Sequence, residues 1–570
     1  MGVDQVLSRG EVESLIAAGN TLVVFQGDVL RLNTWADKHP GGSLVFQHMI
    51  GRDATDEMNI SHSIRTIKTM HAYRIGKISG QWENFTPPIQ GGVFRSQEEQ
   101  DAAAAGLAAL HKLDSASTTG YDSAYVSEDS SDSSVEGLED AQMRQRLLNG
   151  SPKPQSVGFS SIEDAAFTKA AQDGLSSKET YIANSIQHNI DADLDKYPSL
   201  DAATQRDIAV KFQALHERVR NEGYYDLRPI EYGKEMLRYT ALFIVFVTLL
   251  NKGWYFFSAC FLGLFWHQIM FTAHDAGHRG ITADITKDTM IGIFIADFCC
   301  GLSIGWWKSS HNVHHLVTNS PEHDPDIQNV PLFATSPSFF DSITSTYYGG
   351  FVFPWDAFAG VAVLFQKYTY YPIMAVARFN LYILSWGYLL SPRSRTKGKM
   401  WWTRPTEIVG ISVYFFMFFY VCLWRSIPTW TSRAIFLLTS HLITMPLHVQ
   451  ITLSHWGTST ADLGPAESFA QRQLRTTMDV ACPQWLDFIH GGLQFQAVHH
   501  LFPRVPRHNL RKLQALVRDF CKETEIEYLI HDFVAGNGKV LGKLQEVADQ
   551  ARILAACQAH MAATGESGLH

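Results

Sequence analysis

Charge is scarce in this chain. Only 18% of its 570 residues are Asp, Glu, Lys or Arg, against about 25% for an ordinary soluble protein. The charge that exists is not basic: 47 Lys and Arg face 56 Asp and Glu, a net −9. A basic nucleic-acid-binding surface is thereby excluded. Cysteine is thin as well. The seven, Cys260, Cys299, Cys300, Cys422, Cys482, Cys521 and Cys557, form no C-x-x-C pair and no disulfide framework, which suits a reducing compartment. Residues 1–10 hold no apolar run of the signal-peptide kind, predicting a cytosolic start. Val6 stands where a myristoylation signal on Gly2 requires Ser or Thr. Abundance lies elsewhere, in 12% aromatics and 24 histidines.

The apolar residues gather in the second half, so several unlike parts are expected. Residues 1–80 alternate short apolar runs (Leu22 to Phe25, Val29 to Leu32) with helical patterns, reading as a small α+β domain. Residues 81–159 read as a linker, largely disordered. Within it, 115–143 carries Asp122, Glu128, Asp129, Asp132, Glu136, Glu139 and Asp140 ahead of its last residues, too polar to form a core. Residues 160–234 regain a helical period (Val210, Phe212, Leu215, Val219) and predict amphipathic helices leading to a membrane domain over 235–510, with 511–570 a cytosolic tail.

Four spans are expected. Residues 237–271 contain only Arg238 and Lys252 as charges, with a natural turn at Asn251-Lys252-Gly253; they predict a hairpin of two. Residues 408–424 and 434–456 are charge-free and close to the roughly 20 residues that cross a bilayer. Residues 290–307 and 351–390 are apolar but interrupted by Asp, Gly, Pro and Lys, predicting helices that lie in the interface. Arg393, Arg395, Lys397, Lys399 and Arg404, with no acid among them, put the start of the third span in the cytosol.

His39-Pro40-Gly41-Gly42, followed by Gly51-Arg52-Asp53-Ala54-Thr55 and His62-Ser63, resembles the cytochrome b5 domain over roughly residues 5–80. The resemblance implies haem b held between His39 and His62. Two axial imidazoles leave no open position on the iron, so such a centre passes single electrons. No C-x-x-C-H occurs, so the haem would be non-covalent. His48 and His71 read as surface residues.

Three histidine clusters follow: His274-Asp-Ala-Gly-His278, His311-Asn-Val-His314-His315 and Gln496-Ala-Val-His499-His500. Positions i, i+3 and i+4 share a helix face, so each cluster can aim its imidazoles at one point. Imidazole alone does not choose among iron, zinc, copper and nickel. Number does help, because a zinc site needs three or four protein ligands and seven or eight suffice for two irons. The boxes resemble the membrane-bound fatty acyl desaturases over about residues 235–510, and Gln496 in place of a histidine resembles their front-end branch. The resemblance implies a di-iron centre on His274, His278, His311, His314, His315, His499 and His500 that activates O2 and removes two hydrogens from an acyl chain. Gln496 is the catalytic candidate, either ligating iron or orienting a ligand. His441, His448 and His455 recur every seven residues along one stripe. At 1.5 Å per residue only one of the three reaches a compact site, and His455 is the eighth ligand candidate; His441, His448 and His267 read as packing or as a polar channel wall. Asp275, His323, Asp324 and Asp326 are candidates to support the ligands, and residues 323–326 read equally as a solvated loop.

The flanks Gly305-Trp306-Trp307-Lys308, Thr318 to Asp326 and Phe502-Pro503-Arg504 resemble the fungal Δ8 sphingolipid desaturases. That resemblance implies a ceramide or long-chain-base substrate, electrons from an NADH-dependent cytochrome b5 reductase, and a multi-pass protein of the endoplasmic reticulum membrane with haem domain and boxes cytosolic. A front-end desaturase of glycerolipid or acyl-CoA chains, a hydroxylase with the same boxes, and a non-catalytic membrane haem carrier stay open beside it.

Overall fold

The computed structural model describes residues 5–105, 177–394 and 398–564; the acidic stretch 115–143 lies outside them. The first domain is built on strands β1 (Val6–Leu7), β2 (Leu22–Phe25), β3 (Asp28–Arg31) and β4 (Arg74–Ile78), in the order β1-β4-β3-β2. β1 runs parallel to β4 and the other pairs are antiparallel. Alternation along Leu22-Val-Val-Phe explains why all four residues are buried. Leu22 and Val24 pack with Leu7, Val12 and Ile16 on one face, while Val23 and Phe25 pack with Leu30, Leu32 and Met49 on the other. The domain is larger than residues 1–80. Trp82 donates from Nε1 to Gly51 O (3.1 Å), and Phe85, 8% exposed, lies under the Arg9 guanidinium. The start of the expected linker is therefore folded onto it.

The lead-in forms helices Ser177–Lys196 and Ala202–Asn221. In the second, Ile208, Phe212, Leu215 and Val219 are buried while Val210 is 57% exposed, so the stripe starts at Ile208 and excludes Val210.

Among the described residues, four helical segments are long and apolar enough to cross a membrane: Tyr255–Gly277, Ala357–Leu390, Gly398–Arg425 and Trp430–Leu453. Three match the expected spans. Helix Pro229–Asn251, expected as the first, carries Glu231, Lys234, Glu235 and Arg238 in its first turns, leaving a short apolar length. It nevertheless pairs along Tyr255–Gly277, with Tyr239 bonded to Thr272 (3.1 Å) near one end and Ser258 to Phe246 O (2.9 Å) near the other. Ala357–Leu390, expected to lie in the interface, is itself long and apolar enough to cross, and it runs along Trp430–Leu453, with Tyr370 bonded to Thr452 (2.6 Å) and Tyr382 to His441 (3.2 Å). Ile285–Cys299 and Ile304–Leu316 meet at 116°, a dip that returns the second cluster to the side of the first.

The expected C-terminal tail is instead part of the core. In helices Arg507–Thr524 and Phe533–Thr564, Leu513, Val517 and Phe520 pack with Phe212 and Phe502, and Val540, Leu544 and Val547 pack with Leu453 and Trp456. The apolar stripes at these spacings bury area against the membrane region that no tail would.

The first domain sits on the histidine-bearing side. Leu44 and Val45 pack against Val313, Val317 and Tyr347. Arg279 donates to Ser61 O (2.7 Å), Gln213 to Asp56 (2.9 Å) and Asn84 to Pro465 O (3.1 Å).

Candidate metal centres

His39 follows the short turn Ala36–Lys38, and His62 ends helix Thr55–Ser61. Their rings face each other with centroids 5.9 Å apart. His39 Nδ1–H donates to Gly42 O (3.2 Å) and His62 Nδ1–H to Met58 O (2.9 Å). Each ring thus spends Nδ1 on a backbone carbonyl and keeps Nε2 for an axial bond, the arrangement a metal-ligating histidine requires. Burial pushes the imidazolium pKa down to about 4 for His39 and about 3 for His62, so both rings are neutral ligands at physiological pH. A Cβ on Gly41 would come within 2.8 Å of His39 Cε1 and 3.3 Å of Asn312 Nδ2. The His39 turn therefore lies close beside the helix of the second histidine cluster.

His48 is not a surface residue. It is fully buried, bonded to Gln90 (3.0 Å) and edge-on to His323 at 5.4 Å, sealed between the two domains. The docking that buries it is invisible to a local reading. His71 remains largely exposed, held by Asp28 at 2.9 Å.

The three boxes converge and divide into two groups. His274, His278, His311 and His499 form one and His314, His455 and His500 the other, with the ligand nitrogens of each within 4.8 Å of one another. His315 lies between them, its Nε2 3.1 Å from His311 Nε2 and its ring stacked at 4.2 Å on His500. The Nε2 atoms of His274, His278, His499 and His500 are buried without a partner. Four orphaned nitrogens buried in these two groups are costly unless a cation takes them, so the donor set fits metal. Burial and neighbouring imidazoles hold His278, His455, His499 and His500 well below the usual histidine range, which keeps them in the ligating form.

Several ligands are aimed from behind. Asp324, fully buried, accepts from His314 Nδ1 (2.8 Å) and from Asn319 N (2.7 Å). It belongs to a support, not a solvated loop. Gln473 Oε1 accepts from His500 Nδ1 (2.8 Å) while its Nε2 donates to His315 O (2.9 Å). Asn319 donates to His455 O and Thr458 Oγ1, both at 2.8 Å, strapping the second box to His455. Trp307 stacks on His311 at 4.3 Å. Sequence reasoning missed Gln473, for which no local signal exists; Asn319 and Trp307 stood in the flanks already singled out. Asp326 approaches His311 and His314. Asp275 accepts from Tyr232 (2.5 Å) and pairs with Arg507, while its other oxygen lies 3.8 Å from His274 Nδ1, and His323 turns to Thr346 (3.2 Å).

His441 stacks on Phe379 (4.3 Å) and bonds Tyr382 (3.2 Å), and His448 meets Thr444 at 3.4 Å. Neither joins a metal group. Gln496 is 3% exposed with its Oε1 unpartnered, one turn before His499.

Residues 252–531 match the family described as fatty acid desaturase, and residues 8–79 match the cytochrome b5-like heme/steroid binding domain. The chain is 46% identical to a Delta 8-(E)-sphingolipid desaturase of Emericella nidulans, over 100% of this chain and 99% of the relative. It is 44% identical to the protein of that description from Komagataella phaffii, over 97% and 95% of the two chains. The Lachancea kluyveri relative of the same description is 43% identical over 99% and 97%.

Proposed function

The chain belongs to the cytochrome b5-fused membrane desaturases, and from that premise we propose that it introduces the E double bond at carbon 8 of the long-chain base of ceramide or a related sphingolipid. His39 and His62 hold haem b in this reading. His274, His278, His311, His314, His315, His455, His499 and His500 hold two non-haem irons. Bound iron would supply O2 activation for C–H cleavage, and bound haem the single electrons it consumes. The chain's own residues supply the rest. Asp324 and Gln473 keep the Nδ1 protons of His314 and His500 engaged, leaving Nε2 free. Gln496 carries a buried, unpartnered carboxamide oxygen next to the third box, which supports its role at the reacting site. The electrons would come from an NADH-dependent cytochrome b5 reductase, at the cytosolic face of the endoplasmic reticulum.

The observation that carries this reading is helix Ile304–Leu316. Leu44 and Val45, just after the His39 turn, pack on its Val313 and on Val317 at its end, while His311 and His314 on the same helix belong to the metal groups. One rigid element therefore joins an electron donor to an oxidant, and a haem carrier without a catalytic centre would need no such cluster. Lipid analysis of a deletion strain tests it. Loss of the Δ8 bond from the sphingoid bases, with glycerolipid fatty acids unchanged, is expected. Intact Δ8 bases with a missing Δ5 or Δ6 fatty acid would favour a front-end acyl desaturase, and a missing hydroxylated product a hydroxylase.

A further inference from the structure

A second polar cluster lies below the metal groups. His267 and Gln268 on Tyr255–Gly277, and His448 and Gln450 on helix Met445–Leu453, are each at most 6% exposed. Gln268 Nε2 bonds His267 Nδ1 (3.1 Å) and Phe488 O (2.9 Å), while its Oε1 is buried with no partner. His490 donates from Nδ1 to Gln450 Oε1 at 2.6 Å. None of these residues belongs to a metal group. Burying an unpaired carboxamide oxygen costs free energy, so its retention points to a ligand that donates to it.

The wall that closes this cluster marks its depth. Trp485, Phe488 and Ile489, just before His490, are exposed, as are the neighbouring Phe533 and Val534. Trp485 is of the residue type enriched at the membrane–water interface. The loop is pressed onto the first span at Gly491, where a Cβ would fall 2.1 Å from the Phe271 ring.

We propose that His267, Gln268, Gln450 and His490 bind the polar end of the sphingolipid substrate, its hydroxyl and amide groups, and so set which carbon meets the metal groups. The proposal rests on the Δ8 reading given above and names the headgroup site for it. The lengths agree. Seven residues separate His267 from His274 and His448 from His455, about 10 Å along a helix. Eight bonds separate carbon 8 of a long-chain base from the oxygen on carbon 1, and an extended chain of that many bonds spans ~10 Å. Oxygen and nitrogen on the first three carbons would reach donors and acceptors that a plain acyl chain leaves unsatisfied, the strong form of discrimination.

The test uses the full-length protein with a ceramide carrying a saturated long-chain base and with its 1-deoxy analogue. The wild type is expected to prefer the ceramide through KM by about tenfold, the effect of one buried hydrogen bond. Gln268→Leu and Gln450→Leu are expected to raise KM for ceramide, erase that preference and move part of the double bond off carbon 8, with haem and iron content unchanged. Gln268→Glu, which keeps an acceptor, is expected to retain part of the preference. Leucine variants that bind haem and iron yet keep the wild-type preference and position would overturn the headgroup site alone. A wild type that puts no double bond in either base would overturn the Δ8 reading and this inference with it.

Discussion

Asp324 accepts a hydrogen bond from Nδ1 of His314 at 2.8 Å, with the two side chains 0% and 1% exposed. No water competes for that bond, so the carboxylate fixes the ring's tautomer and turns Nε2 toward His455 and His500. Asp324→Asn preserves the shape and removes the charge. Removing such a partner typically costs 10- to 100-fold in metal affinity. Iron titration of the variant should show one weakened site, with the haem spectrum unaltered.

The haem assignment is separable from the iron assignment. His39→Ala and His62→Ala should each abolish the low-spin haem spectrum in the full-length protein, because either change leaves one axial position empty. Non-haem iron should stay at the wild-type level. Haem uptake undiminished in the double variant would reject the pair.

Much of this site was readable before any fold. The i, i+3, i+4 spacing of the boxes and the seven-residue repeat ending at His455 fixed the imidazoles on shared faces. The hairpin of residues 237–271 and the later two apolar runs followed from length and charge. What was not readable came from contacts between distant segments. Gln473 reaches His500 across 27 residues, and His48 is buried only because one domain docks on another. The final helices escaped because their charged outer faces hide a packed stripe, Val540, Leu544 and Val547, in an average-looking composition.

Docking of the haem domain should depend on pH. Burial raises the Asp56 carboxyl to about 7, with Glu57 beside it adding to the rise and the Gln213 hydrogen bond opposing it. A folded pKa above the unfolded 3.8 means the unfolded or undocked form binds fewer protons through this window. The contribution of Asp56 is therefore complete in acid and is lost as the pH rises from about 4 to about 7. Hydrogen exchange of residues 55–61, compared between wild type and Asp56→Asn across that range, should show a pH-dependent opening that is smaller in the variant, where Glu57, raised by burial to about 7, still titrates. Identical profiles would refute it.

Arg507 ties the base of the helical hairpin to the box region, paired with Asp275 and Glu235 and only 5% exposed itself. Arg507→Leu leaves Asp275 buried without a guanidinium and Glu235 with only His508 (3.1 Å) and Arg238 (3.8 Å) beside it. Such a break costs about 3–5 kcal/mol, and the unfolding temperature in detergent should fall accordingly. Glu235→Gln in the same background should recover part of the loss.

The most direct measurement of the central claim is sphingoid-base analysis of a host that makes no Δ8 bases, expressing either the wild-type chain or His500→Ala. The account predicts E-Δ8 bases with the wild type, none with His500→Ala, and about two non-haem irons per chain in the purified active protein. Active protein filled with zinc and lacking iron, or a new Δ5 or Δ6 fatty acid in place of Δ8 bases, would contradict it.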